Sequence, residues 1–132
     1  MALLLFLVLA APPEGPVPAE LHGRWRVTAE VVEGVPTPEA KYRDLVVEID
    51  ARTLRLRDGD AVLECRAGVD ANLREIAVTP KTGGRADRPF VGLYFVSGDL
   101  LRICLPLDAG QRAEDMTSRA GKRQVLISLK RD

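Results

Sequence analysis

The chain has 132 residues, 46% of them hydrophobic, enough for one domain with a self-sufficient core. Its 19 basic residues are matched by 19 acidic ones, so no surplus of positive charge exists to neutralise nucleic-acid phosphates. At 5% aromatic residues it is also poor in base-stacking platforms, and it carries no acidic tail or membrane-surface helix.

The first element in chain order is an uninterrupted apolar run, MALLLFLVLAAP. A run of about ten apolar residues is half of the roughly 20 that a helix needs to cross a bilayer, and it suits the core of a secretion signal. Ala10 and Ala11 supply small residues for a cleavage site, although no Lys or Arg precedes the run. A buried strand or helix is the alternative. The Pro-rich residues 12–18 read as an extended linker. On this reading residues 1–20 are signal and linker, and residues 21–132 are the domain. The mature protein is then extracytoplasmic, periplasmic or secreted, with no stable membrane span after signal removal.

From Gly23 onward apolar residues recur at every second position. The segment GRWRVTAEVV puts Trp25, Val27, Ala29 and Val31 on one face, with Arg24, Arg26, Thr28 and Glu30 on the other. LVVEID follows with Leu45, Val47 and Ile49, TLRLR with Leu54 and Leu56, and VLECRAGV with Leu63, Cys65 and Ala67. A weaker strand over residues 75–79 precedes FVGLYFV, LLRICLP and QVLISLK. Turn chemistry separates several of them: Asp58-Gly59-Asp60, Asp70-Ala71-Asn72 and Ser97-Gly98-Asp99. One short helical turn is expected at residues 37–41, with Thr37 as N-cap and Pro38 in the first helical position.

About eight strands, the early ones each burying one face and solvating the other, predict an all-β antiparallel sheet that surrounds its own core. An up-and-down barrel does this and leaves no exposed edge. A two-sheet sandwich is the second choice.

The segment Leu21-His22-Gly23-Arg24-Trp25 resembles the Gly-x-Trp signature of lipocalins. With Val35-Pro36, Leu54-Arg55-Leu56, Val91-Gly92-Leu93-Tyr94, Leu100-Leu101-Arg102-Ile103-Cys104 and Leu129-Lys130-Arg131, the chain is similar to short lipocalin-like domains of unknown function, numerous in planctomycete bacteria. The resemblance spans residues 21–131. It departs in the last long loop, where the family tends to show Arg-Pro and then Phe and this chain has Arg112-Ala113-Glu114-Asp115-Met116. The resemblance implies a lipocalin-like barrel and supplies no activity. It also implies structural roles for Gly23, Trp25 and Arg131, since lipocalins place an Arg across that Trp. Strand pairing leads to the same contact: the first and last strands of a closed antiparallel barrel are neighbours, so Arg131 meets Trp25.

The inventory for catalysis is thin. The single histidine, His22, stands just outside the first strand, and no metal-ligand or nucleophile motif occurs. The alternating strands point no carboxylate inward, so paired acid–base chemistry lacks support. No catalytic residue, metal or cofactor is therefore assigned, and the protein is read as a non-enzyme. Cys65 falls on the inward face and Cys104, beside Arg102, on the outward one, so two free thiols are expected in preference to a disulfide.

Three function classes remain: a non-catalytic binder of a small apolar or amphipathic ligand, a protein–protein interaction module with a solid core, and, last, an enzyme. In an up-and-down order the long links, residues 33–43, 80–89 and 107–123, gather at the end opposite Trp25. Lys41, Tyr42, Lys81, Arg85, Arg88 and Arg112 are the candidate ligand-binding residues of that mouth, with Arg119, Lys122 and Arg123 nearby. An apolar interior below a basic rim would suit an amphipathic molecule with an anionic head, such as a fatty acid.

Overall fold

The computed structural model describes residues 11–81 and 88–132. Among these residues nine antiparallel strands follow one another around a sheet that closes on itself: β1 (Gly23–Val32), β2 (Val35–Pro36), β3 (Leu45–Ile49), β4 (Thr53–Asp58), β5 (Ala61–Asp70), β6 (Glu75–Pro80), β7 (Phe90–Ser97), β8 (Leu100–Pro106) and β9 (Gln124–Arg131). From β3 to β9 each strand pairs with the next, and β1 pairs with both β3 and β9. The result is an eight-stranded up-and-down barrel of the lipocalin-like kind. The two-residue β2 is an extra arm folded back on β1 through Glu33 and Gly34. Both turn residues have positive φ, 48° and 83°, the conformation a tight hairpin demands and glycine supplies readily.

The expected helical turn is a 3-10 turn at Glu39–Lys41. Thr37 does not cap it: its hydroxyl donates instead to Glu30 Oε1, 2.7 Å away. A second 3-10 turn, Ala19–Leu21, precedes β1.

Alternation fills the barrel as expected except in β1. Trp25 pairs with Arg131 and Val27 with Leu129, but Ala29 then pairs with Ser128 and Glu30 with Ile127. A β-bulge at Thr28 inserts one extra residue. Because side chains alternate with period two, one extra residue exchanges the faces of everything beyond it. Ala29 and Val31 therefore turn outward and Glu30 inward, the reverse of the expected assignment. The bulge is the physical reason an acidic side chain reaches the interior.

One end is closed by side chains from outside the sheet. Leu21 and Trp25 are fully buried there, and the indole Nε1 donates to the Leu21 carbonyl at 3.0 Å. The Pro-rich stretch that reads as a linker is laid against this end. Val17 is buried in the core, its amide donates to Ala51 O at 2.9 Å, and Gly15 bridges to Val69. Where Pro13 crosses β5, a Cβ on Gly68 would come within 2.4 Å of the Pro13 carbonyl oxygen, so only glycine fits. The apolar run before residue 11 lies outside the described residues.

The last long segment, residues 107–123, folds down the outer wall. Above Leu93, β7 leaves β8 and bonds with residues 111 and 113 instead. Gln124 pins the segment: its side chain accepts from Glu114 N at 2.7 Å and donates to Thr117 O at 2.9 Å. Cys104 points outward, as its parity requires, yet is fully buried because this segment covers it. Cys65 lies inside the barrel, and both cysteines are free.

Candidate functional site

An eight-stranded barrel encloses a space that side chains can either fill or leave open for one small ligand. Here the two ends differ. Around Trp25 the interior is packed solid by Leu21, Ile76, Leu101 and Leu129. Toward the other end, where the long links emerge, a cavity of about 300 Å³ remains. Its wall is formed by inward residues of the barrel, among them Leu54 and Leu56 of β4, Val78 of β6, Ile103 of β8 and Ile127 of β9. The mouth is open to water: Leu63 lines the cavity and is still 41% exposed.

Among the described residues Glu30 is the one charged residue in this lining. The bulge turns it inward opposite Ile127, and the β1–β2 hairpin brings Thr37 over it. Thr37 closes a two-point clasp, its amide donating to Glu30 O at 2.8 Å and its hydroxyl to Oε1 at 2.7 Å. Oε2 has no partner among the described residues, leaving an acceptor in an otherwise apolar described lining.

None of the basic residues expected at the rim lines this cavity among the described residues. Tyr42 is half-buried and packed against the core without lining the cavity, and Lys41 is exposed on its 3-10 turn. Lys81 sits outside the wall, its Nζ 2.7 Å from Glu64. It borders a groove of about 550 Å³ between residues 12–14 and the outer faces of β4 to β6, where Arg52 and Arg66 also lie. Arg88 donates to Ala109 O at 3.2 Å, and Arg112 reaches down the outer wall to Glu75 at 2.7 Å. Arg85 lies outside the described residues. The remaining basic side chains of the last segment are matched by acids: Lys122 with Asp115 at 2.9 Å, Arg123 with Asp108 at 2.8 Å, and Arg119 with Asp115 at 3.7 Å.

Asp115 is the most perturbed of these groups. The Thr117 hydroxyl, then Lys122 and Gln124, hold its carboxyl far below the usual carboxylate range. Burial pushes the thiols of Cys65 and Cys104 up, which disfavours the reactive thiolate. His22 is tied to the Pro-rich strap, residues 12–18 and the turn that follows them, with Nε2 2.8 Å from Val17 O. Among the described residues no group of three or more His, Cys, Asp or Glu gathers as a metal site, and no helix is long and apolar enough to cross a membrane.

Sequence reasoning missed Glu30 and Thr37. A bulge needs only one extra residue, and the stretch Ala29-Glu30-Val31-Val32 carries a valine on each of its two faces, so the pattern does not reveal the exchange. No family model, curated protein or solved structure matches the chain, so the site stands on its own geometry.

Proposed function

We propose that the protein is a non-catalytic binder of one small apolar or amphipathic molecule, held in the open half of the barrel. The observation that carries this reading is the cavity of about 300 Å³ with its almost wholly apolar lining and open mouth. Small-molecule sites have volumes of about 300–1,000 Å³ and combine an apolar wall with a few polar groups. This cavity stands at the small end of that range, which favours a short chain or single ring over a long-chain lipid. The wall belongs to a closed sheet, so the site is largely preformed and binding orders few side chains. Export to an extracytoplasmic compartment, argued above from the N-terminal run, belongs to the same proposal.

Calorimetric titration with 1-octanol tests the reading, together with native mass spectrometry for a co-purified small molecule. Saturable one-to-one binding is expected. A barrel that binds no small apolar molecule in either experiment would fit an interaction module instead.

A further inference from the structure

Among the described residues no basic side chain lines the cavity, and the charged group that does is Glu30. Lys81 and Arg112 are paired on the outer wall, and Arg119, Lys122 and Arg123 are paired within the mouth links. Lys41 and Arg43 are exposed near the mouth, but neither lines the cavity, and Asp44 stands beside them. Asp58, exposed at the tip of β4, has the strand parity of Leu54 and Leu56 and does not line the cavity. An anionic head seated against the described lining would face the carboxylate of Glu30.

We propose that Glu30 makes the cavity selective for cationic amphiphiles, with an amine at the mouth and a short apolar tail among Leu54, Leu56, Ile103 and Ile127. This rests on the binding reading above and assigns its ligand class. Three features support it. Glu30 keeps one carboxylate oxygen engaged by Thr37, which fixes the side chain, and the other oxygen remains open to accept. The surrounding wall is apolar, so a charge pair formed here is shielded less by water than one on the surface. A charge-assisted hydrogen bond from an ammonium to a fixed carboxylate is also about twice as strong as a neutral one. The Thr37 hydroxyl already donates to Glu30, so the clasp presents no free donor to an anionic head.

Calorimetric titration of n-octylamine, 1-octanol and octanoate into the wild-type chain and E30Q tests the assignment. Glutamine keeps the size of the side chain and an acceptor for Thr37, and circular dichroism checks that the variant folds. Octylamine is expected to bind wild type at least tenfold tighter than octanol, and octanoate more weakly than octanol. In E30Q the octylamine-to-octanol affinity ratio should fall to about one. If octanol binds wild type and octylamine binds no tighter, the ligand class is wrong and the binding reading stands. The same holds if the amine preference survives in E30Q. If none of the three compounds binds wild type, the binding reading itself fails. The wild-type comparison decides the charge preference even if E30Q does not fold.

Discussion

The guanidinium of Arg131 lies over the indole of Trp25, its Cζ 4.2 Å from the ring centroid. The two residues are directly opposed in the β1–β9 pairing, and Arg131 also donates to His22 O at 2.8 Å and Glu20 O at 3.0 Å. The arginine therefore seals the closed end to the strap that plugs it. Gly23 makes room: its φ is +125°, and a Cβ there would lie 2.9 Å from Arg131 Nη1.

Arg131→Ala removes the cation–π contact, worth about 0.5–2 kcal/mol, together with two hydrogen bonds. Destabilisation of about 1–4 kcal/mol is expected, a Tm lower by several degrees in calorimetry. Arg131→Lys should recover only part of this, because an ammonium cannot span both carbonyls and the ring. Octanol affinity should be unaffected in both variants, since the seal is at the opposite end from the mouth. An unchanged Tm in Arg131→Ala would remove the seal from the account.

Leu21 tests whether the strap is part of the folded core. It is fully buried, although its position after a Pro-rich stretch reads as the edge of a linker. Leu21→Ala should cost about 2–5 kcal/mol, as for a core leucine. Removing residues 1–18 takes away Val17 as well, and should lower the Tm substantially. A truncated chain with full stability would show that the strap contributes nothing.

The thiols report on two separate layers. Cys65 is inside the barrel and Cys104 is under the outer segment, and burial raises the pKa of both. In the native protein at neutral pH neither should react appreciably with a thiol reagent. In denaturant without reductant, two thiols per chain should react. A value of zero until reduction would mean a disulfide.

Asp115 gives the outer segment a pH dependence of known sign. Its folded-state pKa is depressed, chiefly by the Thr117 hydroxyl and then Lys122, below an unfolded value of about 3.9. The stabilisation is therefore complete well above pH 4 and is lost as the pH falls toward the folded-state value. Asp115→Asn should lower the Tm at pH 7, and the gap from wild type should narrow below about pH 4. A gap independent of pH would assign the effect to packing.

Much of the barrel is legible in the inward apolar rows of β3 to β9, because a slip of one residue would turn each row out of the core, although the outward Val46, Ala77 and Cys104 are buried as well. The ends are less legible. Val17 and Leu21 sit in no periodic segment, so nothing marks them as a plug. Cys104 follows its strand's parity and is buried all the same, because a loop held by Gln124 covers that wall. Charge at the mouth is the least legible feature. Loop composition shows that arginines and lysines are near, but which way each turns depends on acids far away in sequence, such as Glu75 for Arg112 and Glu64 for Lys81.

Filling the cavity separates the interior site from every other surface. Ile127 lies midway along β9, lines the cavity and stands opposite both Glu30 and Ile103. Phenylalanine there would extend into the space of about 300 Å³. In a fully packed core such an enlargement costs about 1–3 kcal/mol, because neighbours must move off their preferred rotamers. With open volume beside it the ring can be accommodated, so the expected stability change is under about 1.5 kcal/mol. Ligand binding should suffer much more, since ring and ligand compete for the same volume. Ile127→Phe should weaken 1-octanol and n-octylamine together by at least tenfold in calorimetric titration, with the barrel's circular dichroism unchanged. That common loss differs from E30Q, which should affect the amine alone. If both compounds bound Ile127→Phe at wild-type strength, the ligand would lie outside the barrel, and the groove beside Arg52 and Lys81 would be the next place to test.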